Sequence, residues 1–392
     1  MKNIVLVFSL LSSWGLLAQH NLPIIKATYP NAFIVDANEG KTNWTLSPDA
    51  KPDVYTSFRT RETKWVSLYT DVDSIKVKID PGTVFDFVVL LNDKDSCYTQ
   101  FKSAIPKVLI TNTSLNTHDT IPFTLTAYNA ICIKSIINDS DTLNLHFDIG
   151  SFDFRLTKDA ILHKTTLLSN QADVLSGKAK ADYNQMKPVF KIKLGNLAFD
   201  KPEVIPTGFT SQGMDGRFGW NIFEGKSVEI DYDKHILIIH SQLPKIKKGY
   251  SKSKIEFYQS FACIKGHFTI EQKIYKGLFI MDTGSDLAII MDSTWLNQQK
   301  FPKDLKHIKT TTLKDPRGAV YENKIVLAPQ FNLNGFTLND IPTSLLGGPN
   351  PTRLALNFLG NDLLKRFNAI LDFKKDYIYL KPNSLTSLPY KD

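Results

Sequence analysis

Asp282 is a carboxylate placed where a carboxylate is costly. It stands with Thr283, Gly284 and Ser285 between two apolar runs within Gly277–Ile290, each short enough to be a buried strand. Desolvation there raises a carboxyl pKa, so such an Asp needs hydrogen-bond donors, a partner charge or a catalytic use. Its neighbours supply candidates. Gly284 lets the backbone turn tightly beside the carboxylate, and the hydroxyls of Thr283 and Ser285 can reach buried polar atoms. The same residue types also build ordinary β-turns, so the motif alone leaves both readings open.

A second copy lies upstream. Laid without gaps, Phe147–Leu162 faces Met281–Leu296, which pairs Asp148 with Asp282, Gly150 with Gly284 and Ser151 with Ser285. Each copy runs through apolar residues to a helix-start signal, Thr157-Lys158-Asp159 in one and Asp292-Ser293-Thr294 in the other. A further block repeats too. Gly219-Trp220-Asn221-Ile222-Phe223 leads to Val228-Glu229-Ile230-Asp231, and Gly360-Asn361-Asp362-Leu363-Leu364 leads to Ala369-Ile370-Leu371-Asp372, with 12 positions from Gly to Asp in each. Two matched blocks at similar separation predict an internal duplication of a β-rich lobe. If each lobe presents its Asp at a shared interface, the two carboxylates meet around one water and share one proton, which makes an acid and a base from one residue type. Such a pair hydrolyses a peptide bond with no metal, cofactor or covalent intermediate.

The 392 residues are 42% apolar and 11% aromatic, enough for two or three globular domains. Residues 1–19 start with Lys2, continue through Ile4–Leu11 and end near Ala18-Gln19, a secretory signal peptide by charge, length and small-residue end. No Cys lies near it to carry a lipid, so the expected location is secreted or periplasmic. Strand alternation at Ser74–Asp80, then Pro81-Gly82, then Val84–Leu91, marks residues 20–115 as an N-terminal β-domain, sandwich-like. Its acidic residues Asp71, Asp73, Asp80, Asp86, Asp93 and Asp95 lack the spacing of a calcium loop and read as solvated turns. Arg59, Arg61 and Lys64 beside Trp65 read as an exposed strand face. The remaining divisions are a first lobe over 116–243, a basic linker over 244–256, a second lobe over 257–385 and a tail over 386–392. The net charge of +8 is dispersed, without a basic and aromatic stripe, which argues against a nucleic-acid partner. No later run is apolar enough to span a membrane. Cys97, Cys132 and Cys263 are too few and too scattered for a disulfide framework, leaving one bridge open.

Asp282-Thr283-Gly284-Ser285 with Asn357-Phe358-Leu359-Gly360-Asn361 downstream resembles the aspartic peptidases, both pepsin-like and retropepsin-like. The order Asp148, Gly219, Asp282, Gly360 looks like their two-lobed, single-chain form. The resemblance covers residues 120–385 and implies a mainly β, two-lobed double barrel acting as a monomeric endopeptidase on peptide or protein substrates. It implies Asp148 and Asp282 as the catalytic pair, with Gly150, Ser151, Thr283, Gly284 and Ser285 orienting the carboxylates. Arg217-Phe218-Gly219 stands where the apolar-apolar-Gly triplet of the first lobe is expected, and Tyr183 is the candidate for the tyrosine that closes over substrate. The family has Thr after both Asp residues, and those hydroxyls lock the lobes together. Ile149 stands at the first position here, so half of the lock is expected to be missing, and the Thr283 hydroxyl needs another partner. The second reading is therefore a module of the same architecture that binds peptide without cleaving it.

Overall fold

The computed structural model describes residues 22–37, 40–50, 52–105, 118–183, 186–210, 213–314, 320–348, 350 and 354–391. The expected signal peptide and the expected boundary at 115/116 lie outside the described residues. The chain divides into two units, Met1–Lys107 and Val108–Asp392.

The first unit is two four-stranded sheets, one in the order Ile24–Ala27, Val84–Leu91, Asp95–Ser103, Asp53–Ser57, the other in the order Gly40–Thr45, Asn31–Asp36, Lys64–Tyr69, Ser74–Ile79. Their alternating inward residues share one core. Ile25, Phe87 and Phe101 come from the first sheet and Ile34, Val66 and Leu68 from the second. This is the sandwich expected from the alternation. One expectation is overturned. Arg59 and Lys64 are 2% and 7% exposed and so do not lie on a solvent face. The register of Lys64–Tyr69 turns Trp65 outward and Lys64 inward, where its ammonium sits 2.6 Å from the buried Asp36 carboxylate and donates to the Phe58 carbonyl at 2.5 Å. A buried Asp requires such a partner. Asp71, Asp73 and Asp93 serve turns and surface pairs, with Asp71 bound to Thr28 and Asp93 paired with Lys26 at 2.7 Å.

The second unit holds the duplication. In the first lobe the strand Asp141–Asp148 runs out to its Asp, the chain returns as Phe154–Thr157, and helix Lys158–Lys164 follows, capped by the Thr157 hydroxyl on the Ala160 amide. In the second, Lys273–Asp282 is followed by Ile289–Met291 and helix Ser293–Gln299, capped by Asp292 on the Trp295 amide. Both caps fall where the sequence placed them. Between the two arms of each loop runs the strand from the second repeated block. Gly216–Gly219 pairs parallel with the Asp148 strand, Asp148 opposite Gly219, and antiparallel with the return strand. Asn357–Gly360 does the same with Asp282 opposite Gly360. Both positions must be Gly because a Cβ would collide with a backbone carbonyl of the loop above, that of Ser151 or Leu287. The return strands show that the copies are not gap-free. Phe154 faces Phe218 while Ile289 faces Leu359, so the second loop carries one extra residue after its Asp.

The lobes are joined by a six-stranded sheet in the order Ser251–Lys254, Tyr377–Pro382, Phe367–Asp372, Ser227–Asp231, Ile236–His240, His118–Pro122. Its centre is the pairing of the two repeated hairpins, Val228 with Leu371 and Ile230 with Ala369. The expected linker 244–256 is therefore only partly a linker, because Ser251–Lys254 is paired as an edge strand of this sheet. Two matched hydrogen bonds cross between the lobes. Trp220 Nε1 donates to the Ser260 carbonyl at 3.1 Å, and the Asn361 side-chain amide donates to the Asn129 carbonyl. Trp220 and Asn361 each follow the Gly of a repeated block, and Ser260 and Asn129 both have left-handed backbones, at φ 66° and 67°. The tail is packed over its described residues. The guanidinium of the wholly buried Arg366 donates to the carbonyls of Leu385, Leu388 and Pro389 and lies 3.6 Å from the Tyr390 ring. Among the described residues no helix is long and apolar enough to cross a membrane.

Candidate active site

The two Asp loops face each other. A Cβ built on Gly150 would lie 3.0 Å from Asp282 Oδ1 and 3.2 Å from Asp148 Oδ1, and one on Gly284 would lie 3.1 Å from Asp282 Oδ1 and 3.3 Å from Asp148 Cγ. Both carboxylates therefore converge on both glycines, and any side chain at either position would push into the pair. Each carboxylate is held by its own loop, the Gly150 amide donating to Asp148 Oδ1 and the Gly284 amide to Asp282 Oδ1, both at 2.9 Å. The serines point elsewhere. Ser151 donates to Asp153 at 2.9 Å, and the Ser285 hydroxyl accepts from the Leu287 amide at 3.3 Å.

The pair is electrostatically uneven. Asp148 is buried, and its Oδ2 lies 3.3 Å from Arg217 Nη1. Arg217 also reaches Asp153 at 3.4 Å, and Arg155 pairs with Asp153 at 2.6 Å. Asp282 keeps part of its surface open to solvent, yet enough protein surrounds it to strip most of its hydration. Burial first, and the charge of Asp148 second, push its pKa up to about 7, against the pull of the Gly284 amide and Arg217. Burial thus favours the protonated form of Asp282, while the Arg217 guanidinium lies against Asp148.

The lock between the loops is half as expected and half new. The Thr283 hydroxyl accepts from the Ile149 amide at 2.9 Å and donates to the Phe147 carbonyl at 3.0 Å. It is fully matched, so the expected shortfall at Thr283 does not arise: its partners are backbone groups of the first lobe, which an Ile at 149 still provides. What Ile149 lacks is the reciprocal hydroxyl. On that side His146, wholly buried, holds the Thr283 carbonyl through Nε2 at 3.1 Å.

Tyr183 is not on a hairpin. Between helix Ser293–Gln299 and strand Phe336–Leu345 the second lobe carries the long hairpin His307–Lys314 with Val320–Leu333. Between helix Lys158–Lys164 and strand Val204–Thr207 the first lobe instead has helix Gln171–Leu175, a single Leu168–Met186 bridge and the short hairpin Lys191–Leu194 with Leu197–Asp200. Tyr183 lies within that stretch. Its hydroxyl donates to the Lys158 carbonyl at 3.4 Å, and the Lys158 ammonium stands 5.1 Å over its ring, so it leans on the first helix of its own lobe.

His146 and Arg217 were not singled out from sequence, although a signal was present. Cross-strand pairs share a sheet face, so Cys132, His146, Arg217 and Arg155, each paired to the next, form one row across four strands of the first lobe. The same pairings in the second lobe give Cys263, Ile280, Phe358 and Ile290. Three of these belong to a small apolar cluster, and Ile290 packs against it. Polar residues in one copy where the other is apolar mark the departure. All three cysteines are free, and burial pushes the Cys263 thiol up to about 12.

No protein-family model matches the chain, and no curated protein does. Among solved structures, the aspartic proteinase from Irpex lacteus is similar, at 13% sequence identity and a TM-score of 0.45, with 70% of this chain and 100% of that chain covered. By its own strand pairings and duplicated loops, the fold is mainly β and two-lobed.

Proposed function

We propose that the protein is an exported aspartic endopeptidase that hydrolyses peptide bonds with a water held between Asp148 and Asp282. The observation that carries this reading is the convergence of two loop carboxylates on the same two glycines, one of them facing a cation and the other with its neutral form favoured by burial. In the proposed reaction the Asp148 carboxylate takes a proton from the water as its oxygen attacks the peptide carbonyl carbon. Asp282 gives its proton to the carbonyl oxygen, leaving a tetrahedral diol. The proton on Asp148 then passes to the amide nitrogen as the C–N bond breaks, while Asp282 recovers a proton from the collapsing diol. Export rests on the character of residues 1–19.

The reading is tested by Asp148→Asn and Asp282→Asn, each of which is expected to abolish cleavage of a broad peptide library between acid and neutral pH. Full activity in either variant overturns it. In the wild-type protein activity should fall as pH rises through about 7, where Asp282 loses its proton. One observation favours a second reading, a module that binds peptide without cleaving it. Arg217 pairs with Asp148 Oδ2, and a cation there weakens the carboxylate as the base that takes a proton from the water. Binding of library peptides with no cleavage at any pH would decide for that reading.

A further inference from the structure

The lobes have exchanged a polar and an apolar residue three positions apart. In the second lobe the apolar Ile280 is followed three residues on by the hydrogen-bonding Thr283; in the first, His146 is followed by the apolar Ile149. Strand register makes these true equivalents, because Asp148 and Asp282, with His146 and Ile280 two residues before them, occupy matching places against Gly219 and Arg217 or Gly360 and Phe358. The internal symmetry also states what is missing. A hydroxyl at 149 would accept from the Thr283 amide and donate to the Met281 carbonyl, as Thr283 does with Ile149 and Phe147.

We propose that His146 is the positioning residue that replaces this absent hydroxyl, tying the first lobe to the backbone of the second lobe's Asp loop through the Thr283 carbonyl. A carbonyl oxygen only accepts, so Nε2 must carry the hydrogen, and in the neutral imidazole Nδ1 is then the bare nitrogen. Burial favours that neutral form. Nδ1 makes no hydrogen bond among the described residues. A side chain with a buried unmatched atom is retained at a cost, and the cross-lobe bond to Thr283 is the one hydrogen bond the imidazole makes among the described residues. The imidazole also lies beside the loop, with Cε1 3.1 Å from where a Cβ on Gly284 would stand. His146 therefore sets the height of the Asp282 loop against Asp148 without touching substrate.

The lock itself does not depend on peptidase activity, although its kinetic effect rests on that reading. The test compares His146→Ile, which gives the first lobe the residue of the second, with His146→Gln, whose amide can donate to the same carbonyl, and with His146→Ile combined with Ile149→Thr, which copies the second lobe's arrangement in full. Hydrogen exchange of Met281–Ser285 amides should be about tenfold faster or more in His146→Ile and return to wild-type values in the other two. With a cleaved peptide, kcat should fall about ten- to a hundredfold in His146→Ile with KM within about threefold, and both rescues should restore it. Unchanged exchange in His146→Ile overturns the proposal, as does a loss that Ile149→Thr does not recover. If His146→Ile fails to fold, recovery of folding by Ile149→Thr supports the lock and its absence overturns it. A wild-type protein that cleaves nothing removes the peptidase reading while the exchange result still decides this one.

Discussion

Asp282→Asn should alter the pH dependence of stability in a direction opposite to that of most carboxylates. Unfolded, Asp282 releases its proton near the ordinary value of 3.8; folded, it holds the proton up to about 7. Across that window the native state binds more protons than the unfolded one, so stability falls as pH rises and levels off above about 7. Three units at about 1.4 kcal/mol each set a ceiling of about 4 kcal/mol. Asp282 keeps some solvent contact, which screens part of this, so a loss of about 2 to 4 kcal/mol is expected. Asn cannot ionise. Urea unfolding of wild type and Asp282→Asn at pH 4.5 and pH 8 isolates the effect of the pair, because titrations of groups remote from it cancel in the difference. The wild type should lose about 2 to 4 kcal/mol relative to the variant over that range. Parallel pH profiles for the two proteins would refute the assignment of the shared proton to Asp282.

Two further outcomes follow from buried charges outside the site. Arg366→Met strips several carbonyls near the C-terminus of their donor and should lower urea-unfolding stability of the second unit by about 3 kcal/mol or more; a change under about 1 kcal/mol would mean the tail contributes little. In the first unit Lys64→Met leaves Asp36 buried beside an apolar chain and should cost about 3 to 5 kcal/mol, while adding Asp36→Leu should recover most of it. A double variant no more stable than the single would show that the pair does more than neutralise itself.

The duplication was legible because what positions the two carboxylates is written in backbone requirements. Gly219 and Gly360 must lack a Cβ where a loop carbonyl crosses them, and Thr157 and Asp292 must cap the helix that follows each Asp loop. Such requirements leave residues of restricted type at nearly equal spacing, one residue longer in the second copy. The edge strand Ser251–Lys254 left no such mark, since a polar edge of a sheet reads like a basic linker. Lys64 was misread for a related reason: its burial follows from Asp36, nearly thirty residues earlier, and no local pattern records the pair.

The chemistry of the first lobe was hidden in another way. Ile149 read as the loss of a hydroxyl because each position was compared with its own counterpart. The physical requirement is a hydrogen bond from the first lobe to the backbone of the second lobe's Asp loop, and His146 makes one from three residues away, at the Thr283 carbonyl rather than at the Met281 carbonyl a hydroxyl would have reached. Arg217 illustrates the same point. As a poor match to an apolar triplet it looks like decay, but strand register places it against the Asp148 carboxylate, a cation beside one member of the pair. A departure from one copy's pattern is informative only once the row of residues across the sheet is known. Around that row the substitutions at 146, 149 and 217 are linked: Ile149 lacks a hydroxyl contact between the loops, His146 makes another contact to the same loop backbone, and Arg217 sets a cation against the carboxylate between them.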